Sequence, residues 1–558
     1  MRLLYFLLAL PAAYAQTLCP ATPAYAICDI TFDVPGSIAP DTELNAEFRG
    51  PSHRTFLIRA FPSGPHRLIV RFSPFEAGTW DIRLSSTLAE FHDKQLQMTA
   101  TPSDSLGWIV PANLHHFRYT GGAAEAVLTP AHLWTGDTAP ANLDGSAFES
   151  WAGARAHAGV NHIRVRVPNS IDEAAFGELD SRLAFLNKQN MIADLVLTAP
   201  AGDRQAREKF FRYVIARCAA RNVTWVILDE FEKVDHAHEL VREISGYLDE
   251  DPFHHPRTVG AALTSAVFAD EKWLQFRLYG SEDWSISAVE DQIYAKPAVT
   301  LIKGTSPDEF RHQLWNAAMS GTYPEATATD ATMLGYLGIW QKVLADTRHW
   351  ELEPFFDAGS ARGIALPETE YLIYVEKPGP VRVLLDGKHK WNVTWINPLT
   401  GERIDLKDFK DETFNGSPPD AAHDWILYIG REGHKEGLKS YHFESRPIVM
   451  QDVEVSVEKA PFEITQPSGD SVSPTQPVSY ATKLKRDTKA TKNMIYLWTG
   501  EVTADDEGYR VLGTGPSGQF RVPANIVRHF PATLHVRVYG LNGLGKLYSL
   551  DQNFAMTQ

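Results

Sequence analysis

The chain has 558 residues, 44% of them hydrophobic and 22% charged, with a formal net charge of −16. That length exceeds a single core and calls for several domains, while the composition is ordinary for globular protein. The acidic balance argues against binding nucleic acid or an anionic membrane through bulk electrostatics.

The start of the chain, Met1-Arg2 followed by an apolar run over 3–10 and Ala13-Tyr14-Ala15, reads as a secretory signal with an A-x-A cleavage site. The expectation is a signal peptide over 1–15 and an exported protein, periplasmic, extracellular or on the cell surface. The run is too short to span a bilayer, so no membrane span is expected after cleavage. Cys19 and Cys28 lie close together and can form a disulfide in an oxidising compartment. Cys218 sits in a helical pattern and reads as a small buried hydrophobe. No C-x-x-C or clustered Cys/His spacing suggests zinc, and neither a metal nor a cofactor is expected.

Residues 26–117 show short alternating runs, such as 55–60, 67–72 and 80–84, broken by Pro, Gly and Ser. They predict a β-sandwich. After a hairpin at 116–122 the period changes, and apolar runs of strand length alternate with longer helical segments, the signature of βα units. The candidate strands are 132–137, 161–167, 192–198, 223–229, 258–263, 274–279, 298–302 and a weak one at 321–323. Helical patterns cover 146–158, 173–190, 203–220, 235–248, 307–320 and 331–347. Eight such units predict a (β/α)8 barrel, with its active site at the C-terminal ends of the strands.

The fourth run, Asn222-Val-Thr-Trp-Val-Ile-Leu-Asp229-Glu230, is β-branched and apolar and ends in two carboxylates. A strand buried on both faces reads this way. Acids where it runs out are costly unless they work or are paired. Glu230, with Asp229 beside it, is therefore the candidate for a catalytic mouth; the bland alternative pairs both with Arg164 or Arg166 at the rim. Those arginines alternate with Ile163, Val165 and Val167 and can point inward as structural counter-charges. Asp137 ends the first run, as a ligand contact or a helix cap. Tyr279 and Tyr323 stand at strand ends and either line a sugar site or pack the barrel. His254 and His255, in a Pro-bounded loop, read as solvated rather than as metal ligands.

Beyond the barrel, 370–375, 381–385 and 393–396 return to strand patterns, 431–441 reads as a linker, and 448–558 predicts another β-sandwich. Gly513-Thr-Gly515-Pro-Ser-Gly518 spells G-x-G-x-x-G, but no helix follows, so a dinucleotide site is rejected. Residues 540–546 have P-loop spacing, but Leu547 replaces the Mg²⁺-binding hydroxyl and the flanking runs make this a hairpin loop.

Several of these pieces carry a resemblance. Residues 70–83, with Gly78 and Trp80, resemble the immunoglobulin-like domain found ahead of secreted glycosidase barrels. His132-Leu-Trp-Thr-Gly136-Asp137-Thr138 resembles the first strand of the apiosidase-like glycosidase barrels, Gly159-Val-Asn161-His-Ile-Arg164-Val-Arg166-Val the second, and 222–230 the fourth. Residues 251–257 and 350–354 match in kind. Trp395-Ile-Asn397-Pro398-Leu-Thr400-Gly401 and Asp424-Trp425 resemble the collagen-binding-type β-domain that closes this architecture. The resemblance runs over residues 30–427 and implies a multidomain α/β plus all-β protein, a central (β/α)8 TIM barrel flanked by β-sandwich domains. Together with the predicted terminal sandwich, the expected units are the signal (1–15), an immunoglobulin-like domain (16–118), the barrel (119–355), a small β-domain (356–432) and a C-terminal β-sandwich (433–558).

What the resemblance implies about function is a secreted glycoside hydrolase acting on a polysaccharide or oligosaccharide, with Glu230 as general acid/base. Asp137, Arg164, Arg166, Asp229, Tyr279 and Tyr323 are the expected substrate contacts. Two departures stand out. Asp229 replaces the Asn expected before the acid, and strand seven carries Lys296-Pro297 but continues to Ile302-Lys303-Gly304 with no carboxylate. Glycoside hydrolysis needs a second carboxylate on the other face of the ring; Glu282 after strand six and Glu325 after strand eight are the substitutes. The alternative is a non-catalytic carbohydrate-binding or scaffold protein on a barrel that has lost its nucleophile.

Overall fold

The computed structural model describes residues 16–433 and 460–557, apart from 20, 35, 40, 113, 122–130, 357, 359–360, 408, 487–490, 492, 504–507, 523–526 and 528–529. The expected signal at 1–15 and most of the linker at 431–441 lie outside the described residues.

An eight-stranded parallel sheet organises the molecule. Its strands are β1 (Gly136–Thr138), β2 (His162–Arg166), β3 (Ile192–Leu197), β4 (Val223–Ile227), β5 (Arg257–Val259), β6 (Arg277–Tyr279), β7 (Ala298–Ile302) and β8 (Tyr323–Ala326). They pair in the order 5-4-3-2-1-8-7-6. The β5–β6 seam is bridged by Gln275 N donating to Arg257 O at 3.0 Å, so the sheet is a nearly closed TIM-type barrel. β3, β4 and β7 are buried at every position, because the packed interior covers one face and helices the other.

The helices are α1 (Gly145–His157), α2 (Glu173–Lys188), α3 (Arg204–Cys218), α4 (Ala237–Leu248), α5 (Trp284–Asp291), α6 (Pro307–Ala318) and α7 (Ala331–Ala345). Asp144, Asp172, Asp203, Asp283, Ser306 and Asp330 each accept a first-turn N–H, satisfying donors that a helix start leaves open. α5 is absent from the sequence prediction; with eight residues it is too short to show a helical period, and its one signal is the Asp283 cap.

The barrel has a floor. Ile109–Ala112, His116–Tyr119 and Ala131–His132 form a three-stranded antiparallel sheet, so His132 leaves the predicted first strand to pair with Phe117. Phe117 packs on Trp134, Phe276 and Tyr323, which lie at or just before the N-terminal ends of β1, β6 and β8. Only the C-terminal ends of the strands remain as a mouth.

Flanking sheets complete the molecule. Ahead of the barrel, a four-stranded and a five-stranded sheet enclose Trp80, Phe48 and Phe72, with the two Phe rings stacked at 3.9 Å. Cys19 and Cys28 form a disulfide there, and Cys218 is free and buried. After the barrel comes a six-stranded sheet built on Glu370–Val375, Trp391–Ile396 and Trp425–Arg431, then the sheets of the C-terminal region. The latter dock on α5 through an apolar cluster of Ile286, Val289, Leu497, Tyr539 and Leu541.

Neither nucleotide-like motif opens a helix: residues 513–518 bend between two strands of different sheets, and 542–546 close a hairpin. Strands Ala532–Leu541 and Leu547–Met556 pair antiparallel around 542–546. Gly513 and Gly518 are needed because a Cβ at either would lie 2.2–2.3 Å from the Tyr480 hydroxyl. Among the described residues no helix is long and apolar enough to cross a membrane.

Candidate functional site at the barrel mouth

The chain leaves β4 by a tight kink. Leu228 takes a left-handed conformation, φ 61°, which a branched side chain adopts only at a cost of order 1–3 kcal/mol. Gly260, just beyond β5, makes the kink possible: its N–H donates to Ile227 O and its carbonyl accepts from Phe231 N. A Cβ there would meet the carbonyls of Leu228 and Asp229 at 2.3–2.4 Å.

The kink delivers three acids to three sides of the rim. Asp229 pairs with Arg166 at the end of β2, the pairing offered above as the bland alternative. Glu230 pairs with Lys233, and its Oε1 lies 3.9 Å from Lys303 Nζ, just past the end of β7. Glu232 accepts the backbone N–H groups of Ala262 (2.7 Å) and Leu263 (2.9 Å) after β5. The ion-paired acids remain accessible, Glu230 at 28% and Asp229 at 38% exposure. The hydrogen bond and charge of Glu230 hold the Lys233 ammonium above its usual range.

Beneath the rim the interior is polar and closed. Arg164 donates to Asp194 at 2.8 Å, and Thr224 donates to the other Asp194 oxygen at 2.7 Å. Arg164 is thus an interior counter-charge, not a mouth residue. Glu325 lies inside β8 rather than after it, because that strand begins at Tyr323, two residues later than predicted. It is 1% exposed and accepts from Trp134 Nε1 at 3.2 Å. Burial pushes its carboxyl well above the usual range, against the charge of Arg164.

Asp137 is buried too. Its oxygens accept from Arg155 Nε on α1 and Ala328 N after β8, both at 3.0 Å. It clamps β1 to its neighbours instead of capping a helix. Burial raises it to about 6 despite those hydrogen bonds.

The two tyrosines sit elsewhere. Tyr323 opens β8 at the floor, where its hydroxyl and His116 Nδ1 are 2.7 Å apart. Tyr279 ends β6 but turns to the helix layer, accepting from Arg277 Nη1 at 2.7 Å and packing with Ile286 and Val289. Neither reaches the mouth. Glu282 is exposed on the loop between β6 and α5. His255, expected to be solvated, is buried with Nδ1 3.0 Å from Asp251 Oδ2.

One donor cluster deserves a metal test: His115, Asp291 and Glu353. His115 Nδ1 faces Glu353 at 2.8 Å and Nε2 faces the Tyr294 carbonyl at 3.0 Å. Burial lowers its basicity, but Asp291 and Glu353 outweigh burial and raise it to about 9. Both ring nitrogens face partners within the protein, and with Asp291 3.8 Å from Nε2 the three side chains form a buried ion cluster.

No family model and no curated protein matches the chain. Among solved structures, a presumptive glycoside hydrolase from Bacteroides vulgatus ATCC 8482 superposes with a TM-score of 0.65 at 18% identity, covering 74% of this chain and 100% of its own. Another glycoside hydrolase superposes at 0.52 and 12% identity, covering 59% of this chain and 97% of its own. The likeness is one of barrel fold. At such identities the likeness reaches the fold and not the chemistry.

Within that barrel, three residues of the mouth went unnoticed in sequence: Lys233, Glu232 and the role of Lys303. Lys233 stands three positions after Glu230, a spacing at which side chains meet on a helical turn. Nothing local ties Lys303 to Glu230, since that pair forms only when the sheet closes.

Proposed function

We propose that this chain is an exported carbohydrate-binding protein, related to the apiosidase-like group, whose barrel mouth holds a polysaccharide or oligosaccharide without cleaving it. The observation that carries this reading is Lys303, an ammonium 3.9 Å from Glu230 at the end of β7. Retaining hydrolysis needs two carboxyl groups about 5–5.5 Å apart, and inverting hydrolysis about 6.5–9.5 Å with a water between. The β7 position offers a cation instead. Glu325 is buried below the Arg164–Asp194 layer and does not meet a sugar in the mouth. Proton donation by Glu230 alone is worth only about 10²–10⁴-fold. The rim nevertheless suits sugar hydroxyls: Asp229 and Glu230 accept, while Arg166, Lys233 and Lys303 donate.

The test pairs a glycan-binding screen with a reducing-end assay on the full chain. The reading expects binding that weakens in Asp229→Ala and Lys303→Ala, with no release of reducing ends. Turnover by the unaltered protein that disappears in Glu230→Gln and Glu282→Gln would overturn it. The chain would then be a hydrolase with Glu230 as acid and Glu282 as its partner.

A further inference from the structure

Away from the mouth, a cavity of about 430 Å³ opens where three parts of the chain meet. Its walls come from α5 and the end of α6, from the six-stranded sheet, and from the C-terminal strands near Asn493 and Asn542. Its size falls in the range of small-molecule sites, about 300–1,000 Å³. Trp284, Phe355, Phe356 and Tyr374 give it apolar ring faces.

Arg362 also lines the cavity. Its guanidinium carbon stands 3.4 Å from the centroid of the Trp284 ring, and Nη2 donates to Asn316 Oδ1. Among the described residues its nearest carboxylate, Glu376, is 3.9 Å away, and Nη1 is buried with no hydrogen-bond partner. The side chain is 22% exposed; a half-buried charge without full pairing is still costly, and burial pulls this guanidinium down to about 10 against the charge of Glu376. Glu376 also lines the cavity, and an arriving carboxylate competes with it for this incompletely paired cation through charge-assisted hydrogen bonding. Exposed Lys377 adds a second cation at the edge.

We infer that this cavity binds a hexuronic acid, free or at the end of an oligosaccharide, with its carboxylate on Arg362 and its ring against the aromatic walls. The site is separate from the mouth and stands whether or not the mouth binds glycan.

Calorimetric titration of the full chain with D-glucuronate, D-galacturonate, D-glucose and benzoate tests it. Saturable binding of a uronate, tenfold or more weaker in Arg362→Gln and unchanged in Glu47→Gln, an exposed change ahead of the barrel, is the expected result. Lys377→Glu, an exposed change with no folding hazard, should weaken uronate binding about two- to fivefold. Absence of saturable uronate binding overturns the inference. So does binding indifferent to both Arg362→Gln and Lys377→Glu, or glucose binding as tightly as glucuronate. Benzoate binding with no uronate binding keeps the anion site but refutes the sugar.

Discussion

The clasp between barrel and six-stranded sheet should be the most sensitive single point in the fold. Asp424 opens strand Trp425–Arg431 and is fully buried against Arg311 of α6. Arg311 donates Nε to both Asp424 oxygens at 3.0 and 3.1 Å and Nη2 to one at 2.7 Å; the Tyr374 hydroxyl adds a bond at 2.9 Å. Asp424→Asn keeps the shape but removes the charge and turns an NH₂ toward donors. The other carboxylate beside Arg311 among the described residues, Asp308, is largely in solvent and compensates little. Breaking a buried pair from one side costs about 3–5 kcal/mol; Asn retains one acceptor, so about 3 kcal/mol is expected. For a cooperative unit of about 150–250 residues that is roughly 6–12 °C in Tm, read by scanning calorimetry. Burial alone would raise the Asp424 carboxyl, but hydrogen bonds from His312 and Arg311 hold it well below the usual range. A depressed folded value means that the clasp contributes fully above the unfolded pKa of about 4 and is lost as pH falls below it. The variant should therefore also flatten the acid limb of the stability curve. A double-mutant cycle with Arg311→Met isolates the pair. A loss under about 1 kcal/mol, or single-variant costs that simply add, would refute the reasoning.

Other consequences are equally open to measurement. Glu290 is buried among the hydroxyls of Thr264 and Tyr509, and burial raises it from 4.5 to about 7. The folded state thus holds a proton that the unfolded chain releases, and stability should fall as pH rises from 4.5 to 7. Urea midpoints of Glu290→Gln at pH 5 and pH 8 should differ less than those of the unaltered protein; equal pH dependence would sink the assignment. Trp80→Ala empties a fully buried site beside Phe56, Phe72 and Phe75 and should cost about 3–5 kcal/mol in chemical unfolding. Cys19→Ser with Cys28→Ser opens a loop of sequence separation 9 and should cost about 3 kcal/mol; a thermal midpoint indifferent to reductant would contradict this.

The barrel was legible where its strands are long and covered on both faces. β3, β4 and β7 appear in the sequence as mainly apolar runs, each with one polar residue (Asp194, Thr224 and Thr300), and in the structure as wholly buried strands. β6 has three residues and α5 eight, too few to display a period against their surroundings. Boundary errors then propagated into chemistry. A shift of two residues at β8 lowered Tyr323 to the floor and drew Glu325 inside the strand, because each strand residue advances the chain by about 3.3 Å along its length. The carboxylates of the mouth were visible as acids closing an apolar run, but their partners were not. Arg166 reaches Asp229 across 63 residues and Lys303 reaches Glu230 across the barrel, contacts that exist only after closure. The cavity around Arg362 left no sequence signal at all, since its walls come from segments far apart in the chain.

The rim ion pairs also set how the mouth responds to its surroundings. Asp229 Oδ2 and both oxygens of Glu230, which a sugar would seek, are each contested by a neighbouring cation of the same chain. These pairs are accessible and weak, roughly 0–1 kcal/mol each. Dissolved ions screen them over about 8–10 Å at ordinary ionic strength. A neutral glycan has no charge to be screened, so added salt loosens its competitors without loosening the glycan. Capture at this mouth should therefore strengthen in brine, opposite to the behaviour of a site that recruits its ligand by charge.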